Sequence, residues 1–180
     1  FIAAQAALAL KEVNFVLVPE EPFELEGENG FLPKLETRLL DRRHAVIVVA
    51  EGAGQHLLEH NQEKDVSGNP VLGDICSYLK TKIKKHMKAK EIPYTLKFID
   101  PSYIIRSVPA NSNDRVYCGF LGQYAVHAAM AGKTGLVISR LQDHYVHIPF
   151  SLVTRNRRRL NINSTFWQAV LSSTGQGRLS

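Results

Sequence analysis

The chain has 180 residues, 44% hydrophobic and 22% charged, enough to bury a core as one globular domain or two small lobes, and too apolar for a disordered chain. No apolar run is long enough to cross a bilayer; Cys76 and Cys118, far apart and outside any Cys-x-x-Cys spacing, fit a reducing compartment and argue against a cysteine zinc site. Much of the net charge of +5 lies at Lys80, Lys82, Lys84, Lys85, Lys88 and Lys90, among apolar residues Ile75, Leu79, Ile83 and Met87 that recur every four positions. That is the solvated face of an amphipathic helix, so neither a nucleic-acid nor a membrane partner is expected.

Phe1 to Leu10 reads as an apolar helix with no initiator Met and no basic segment before it, so we read Phe1 as the cut edge of a longer protein. Asn14 to Pro19 follows as a buried strand, closed by the turn Glu20-Glu21-Pro22. A helix from near Gly30 to Arg43, with Phe31, Leu35, Leu39 and Leu40 on one side, leads into the apolar run Ala45 to Ala50. A run without alternation is what a strand covered on both faces looks like, and strand, helix, strand is the crossover of a parallel sheet. The polar stretch Glu59 to Gly73, with its turn signature Ser67-Gly68-Asn69-Pro70, is a surface excursion before the lysine-faced helix.

Tyr94 to Ile99 is the next strand. It ends on Asp100-Pro101, where aspartate suits a helix cap and proline the first helical position, which puts Ser102 to Arg106 on a short helical turn. Asn111-Ser112-Asn113 caps a helix carrying Val116, Phe120, Tyr124 and the small residues Ala125, Ala128, Ala129 and Ala131, a composition for close packing, and Gly132 ends it. A β segment near Tyr145 to Phe150, an irregular basic piece at Arg157-Arg158-Arg159 and a last helix with Phe166, Trp167, Val170 and Leu171 complete an α/β pattern.

Three places carry candidate chemistry. Glu51 stands at the carboxyl end of the Ala45 to Ala50 strand, the edge where open α/β sheets bind ligands. A plain surface carboxylate is the alternative; Gly52-Ala53-Gly54 argues for a ligand, because glycines let backbone approach it and a carboxylate accepts hydrogen bonds from hydroxyls. A dinucleotide fingerprint fails there, since Leu57 occupies the third glycine position. His56-Leu57-Leu58-Glu59-His60 formally satisfies an inverted zinc-protease pattern but has no evident third ligand, and a polar surface loop is the better reading. In Lys97 to Arg106, Tyr103 and Arg106 are neighbours at i and i+3; a guanidinium and a phenol suit phosphate oxygens and Lys97 adds a point charge, against the alternative of a core tyrosine and a surface arginine. A carboxylate for hydroxyls and cations for phosphate together describe a sugar-phosphate site.

The chain resembles the C-terminal half of 6-phosphofructokinases, specifically the plant-type group that is built like the pyrophosphate-dependent enzymes yet uses ATP. The resemblance covers nearly all of it and rests on Phe1-Ile2-Ala3, Pro19 to Gly27, Val49 to Gln55, Ile99 to Arg106, Ala125 to Gly132 and Leu171 to Thr174. It implies a three-layer, Rossmann-like parallel-sheet fold in which residues 1–180 are the substrate-binding part and the nucleotide-binding part is absent. It also implies that Glu51 holds the hydroxyls of fructose 6-phosphate, that Tyr103 and Arg106 contact its phosphate, and that Lys97 is a basic position serving a neighbouring subunit. ATP and Mg2+ would be bound mainly by the absent part, together with the catalytic aspartate, so the fragment alone should not catalyse. The family further implies an allosteric homo-oligomer of glycolysis in the cytoplasm, or in a plastid. A non-catalytic sugar-phosphate-binding module, or pyrophosphate as donor, is the alternative.

Overall fold

The computed structural model describes residues 1–58, 64–66, 68, 70–155 and 158–179. In chain order its elements are α1 (Ile2–Leu10), β1 (Phe15–Leu17), α2 (Phe31–Arg42), β2 (Ile47–Val49), α3 (Ile75–Ala89), α4 (Ser102–Ser107), α5 (Ser112–Met130), β3 (Leu136–Leu141), β4 (His144–Pro149), α6 (Phe150–Val153) and α7 (Thr165–Thr174). They fall into two compact units, Phe1–Phe98 with Arg159–Ser180, and Ile99–Arg158. Among the described residues no helix is long and apolar enough to cross a membrane.

In the first unit β1 and β2 pair in parallel, Phe15 opposite Ile47 and Leu17 opposite Val49, with α2 as the crossover. Side chains of a strand alternate between its faces, and here both faces are covered. Phe15 and Leu17 join Phe31 and Leu35 of α2 and Leu79, Ile83 and Met87 of α3, with Ile47 and Val49 packed alongside. Val16 joins Ala4 and Ala7 of α1 and Trp167 and Val170 of α7, with Val48 alongside. The two helix pairs thus flank the strands as outer layers of a three-layer α/β arrangement, which is why Ala45 to Ala50 carries no polar alternation. Each large side chain buried this way contributes roughly 2–3 kcal/mol.

The last segment is fastened to this core by polar contacts. The Gln176 side chain accepts from the Val16 N–H at 2.6 Å and donates to the Val16 carbonyl at 3.3 Å, supplying β1 with the bonds a neighbouring strand would make. Trp167, fully buried, donates its indole N–H to Glu21 Oε2 at 3.2 Å. Glu20 Oε1 accepts from the Leu160 N–H at 3.1 Å. The acidic turn read from the sequence is therefore a docking point for α7 and its approach.

Two expectations in this unit need correction. Leu40 is exposed, because the buried stripe of α2 runs through Phe31, Leu32 and Leu35 and leaves Leu40 well round the helix. Tyr94 to Ile99 forms no strand, since among the described residues no backbone ladder pairs with it; Leu96 packs inward while Phe98 and Ile99 are exposed. Of the turn Ser67-Gly68-Asn69-Pro70, Ser67 and Asn69 lie outside the described residues, as does Arg157 of the basic piece.

In the second unit α5 starts as expected. Asn111 Oδ1 accepts from the Asp114 N–H at 2.9 Å, and Gly132 beyond its end is left-handed at φ +70°. Among the described residues the close packing expected of α5 is not found: of its side chains only Ala128 is buried, and Val116, Phe120 and Tyr124 are exposed. Tyr124 stacks on Tyr145 with ring centroids 4.7 Å apart. Strands β3 and β4 form an antiparallel hairpin, Val137 opposite Ile148. The sequence reading placed only its second strand, because Gln142-Asp143 at the turn lacks the Asn-Gly or Asp-Gly pair that marks a hairpin, and Gln142 takes the positive φ of 53° itself.

Candidate functional site

Strand β2 delivers Glu51 to its carboxyl end. The Ala50 N–H donates to the Leu17 carbonyl at 2.9 Å, extending the pairing one residue past β2, so Glu51 is the first residue beyond it and is exposed. Its carboxylate makes no hydrogen bond or ion pair with the described residues. The backbone behind it is fixed. The Ala53 N–H donates to the Ala50 carbonyl at 2.8 Å, Ala53 is buried, and Gly54 is left-handed at φ +61°. A Cβ on Gly54 would lie 2.7 Å from Ile75 Cδ1 and 3.0 Å from Phe23 Cζ, so a glycine is required on two counts.

A short 3-10 turn, Gln55–Leu57, follows and is anchored on both sides. Gln55 Nε2 donates to the carbonyls of Glu51 and Gly73, each at 3.2 Å, and its Oε1 accepts from the Gly73 N–H at 2.9 Å. His56 Nε2 lies 3.1 Å from the Phe23 carbonyl, with its ring edge-on to the Phe23 ring. Sequence reasoning stopped at the glycines and missed Gln55; a polar side chain directly after a constrained turn was the available signal.

Lys97 belongs to the same unit and is exposed on the segment after α3. Tyr103 and Arg106 belong to the second unit, on α4, and are brought together as expected: the Arg106 Cζ lies 6.0 Å from the centre of the Tyr103 ring, within reach of a cation–π contact. Within this chain Tyr103 is 80% exposed. The expected arrangement of Asp100 as cap and Pro101 as first helical residue is shifted by one: the helix begins at Ser102 and Pro101 takes the cap position, while Asp100 Oδ1 accepts from the Ser102 N–H at 2.9 Å. The Ser102 backbone bond, its hydroxyl and then the charge of Arg106 hold the Asp100 carboxyl below the usual carboxylate range. Tyr103 and Arg106 thus offer a fork of N–H donors and a phenol on one accessible turn, suited to an anion with several oxygens.

Among the described residues no three His, Cys, Asp or Glu side chains converge to hold a metal ion. Glu59 and His60 of the zinc-like pattern lie outside the described residues, while His56 faces the Phe23 carbonyl.

A family model described as phosphofructokinase matches residues 1–129, a stretch that contains Glu51, Lys97, Tyr103 and Arg106. The chain belongs to the phosphofructokinase family. The ATP-dependent 6-phosphofructokinase of Borreliella burgdorferi is 54% identical over 98% of this chain, and that of Amycolatopsis methanolica 45% identical over 98%. The chloroplastic ATP-dependent 6-phosphofructokinase 5 of Arabidopsis thaliana is also 45% identical over 98%. The chain spans 41%, 40% and 33% of these three relatives' lengths, respectively. Within a phosphofructokinase, the parallel pair with helices on both faces is part of a Rossmann-like layer structure, and Glu51 lies just past the carboxyl end of β2.

Proposed function

We propose that this chain is the C-terminal, fructose 6-phosphate-binding part of an ATP-dependent 6-phosphofructokinase, the enzyme class that phosphorylates the sugar's 1-hydroxyl. The observation that carries the reading is Glu51: an exposed carboxylate without a protein partner among the described residues, on a glycine-constrained turn at the end of a parallel strand, in a chain of the phosphofructokinase family. Its two oxygens accept hydrogen bonds from sugar hydroxyls. Arg106 grips phosphate oxygens through two N–H groups, Tyr103 adds one hydrogen bond, and Lys97 contributes positive charge. None of these groups attacks or leaves. They position the acceptor hydroxyl, which is most of what a protein contributes to phosphoryl transfer.

ATP as donor is supported by the names of the relatives, all ATP-dependent 6-phosphofructokinases. ATP and its magnesium supply the transferred phosphoryl group and neutralise its charge when bound, and on this reading residues outside the chain hold them. The enzyme is a homo-oligomer of the cytoplasm or a plastid.

The test is Glu51→Ala in the complete protein that carries this chain, assayed with fructose 6-phosphate and ATP. KM for fructose 6-phosphate should rise about tenfold or more with a smaller change in kcat, as lost binding does. Unchanged KM and kcat would remove Glu51 from the site. Binding of fructose 6-phosphate without turnover by the unaltered protein would favour the regulatory module instead.

A further inference from the structure

Glu51 can hold a sugar only if its own backbone is held, and the two peptide planes flanking it are pinned by different means. The plane before it is fixed through the Ala50 carbonyl, which accepts from the Ala53 N–H at 2.8 Å. The plane after it is fixed through the Glu51 carbonyl, and the group that reaches that oxygen is the Gln55 carboxamide, at 3.2 Å. Because peptide units are planar, fixing both planes fixes φ and ψ of Glu51 and with them the direction in which its side chain leaves the backbone. The carboxamide is itself immobilised. Its second N–H and its oxygen form a two-bond pairing with the Gly73 backbone, at 3.2 Å and 2.9 Å. Both N–H groups and the oxygen of Gln55 are thereby used on backbone partners at either end of the turn.

We infer that Gln55 is a positioning residue for fructose 6-phosphate: it aims Glu51 by holding the peptide that follows it, and ties that peptide to the segment entering α3. The inference rests on the reading of Glu51 as a substrate ligand. Glutamate at position 55 keeps the shape but has no N–H, so both donated bonds are lost and a carboxylate faces two carbonyl oxygens. Alanine removes all three bonds.

The experiment measures kcat and KM for fructose 6-phosphate and for ATP in the complete enzyme, for Gln55→Glu and Gln55→Ala, alone and combined with Glu51→Ala. Each single change should raise KM for fructose 6-phosphate about tenfold, the equivalent of one to two net hydrogen bonds. KM for ATP and kcat should stay within about twofold, a split that general loss of structure would not produce. On the Glu51→Ala background neither change should raise KM further, because nothing is left to aim. If Gln55→Ala does not fold, the isosteric Gln55→Glu carries the same readout. A KM within about twofold of the parent for both Gln55 variants, with Glu51→Ala still impaired, overturns the positioning role alone, as would a full additional loss in the double variants. A normal KM for Glu51→Ala overturns the site and the positioning role together.

Discussion

At Gly54 a side chain would meet two obstacles at once, a left-handed backbone and an Ile75 methyl 2.7 Å from the new Cβ, whereas at Gly132, also left-handed at φ +70°, none of the described residues lies within 4 Å. Comparing Gly54→Ala with Gly132→Ala separates strain from space. The backbone alone costs about 1 kcal/mol, and overpacking a filled core adds roughly 1–3 kcal/mol. Urea unfolding should therefore show Gly54→Ala losing about 2–4 kcal/mol and Gly132→Ala about 1 kcal/mol; equal losses would mean that Ile75 and Phe23 move aside freely. Asp74, the cap of α3, accepts from the Ser77 N–H at 2.9 Å, and bonds from Ser77 hold its carboxyl below the usual range, as Ser102 does for Asp100. A depressed folded-state value stabilises the fold above the unfolded value near 3.8, and that contribution is lost as pH falls through the folded value. Asp74→Asn keeps the cap without the charge, so its stability should fall less steeply with pH below 3.8 than the parent's. Parallel acid profiles would remove Asp74 from the acid response.

Among the elements, β1 draws most on distant chain. Gln176 satisfies both backbone groups of Val16, so Gln176→Ala leaves a buried N–H and C=O unpaired and should cost about 2–4 kcal/mol, read as lost hydrogen-exchange protection at Val16. Protection equal to the parent's would mean that water replaces the amide. Nothing in the local sequence announces this contact, because residues 16 and 176 meet only after the whole chain has folded. What was legible is what local chemistry controls. The cap at Asn111, the break at Gly132, the unalternating run before Glu51 and the Tyr103/Arg106 pair follow from spacing and residue type, whereas the same reading starts α4 one residue early. Tyr94 to Ile99 shows the limit: alternation and β-branched residues make a segment ready to pair, but a strand needs a partner, and none of the described residues supplies one. The Gln55 clamp escaped for a related reason, since its bonds to Gly73 cross a connection whose path the sequence leaves open.

At the scale of the whole molecule, the two units differ in how much apolar surface they hide. The first has two buried clusters, around Phe31 and around Trp167, while in the second Ala128 is the only residue of α5 that is buried. Local stability follows buried contacts, so in the 180-residue chain the amides of α5 should exchange with solvent well before those of α2, and thermal unfolding should spread over more than one transition. A single cooperative transition with equal protection in both helices would contradict that ordering. The division also has an order in time. Residues 99–158 interrupt a unit whose remaining piece is Arg159–Ser180, which brings Trp167 under Glu21 and Gln176 onto Val16. On a ribosome adding about 5–20 residues per second, the second unit leaves the exit tunnel while the first still lacks α7, half of the α1/α7 outer layer. For those seconds β1 waits with one face covered by α1 alone and one edge without Gln176, and the part of the chain that is translated first is the part that is finished last.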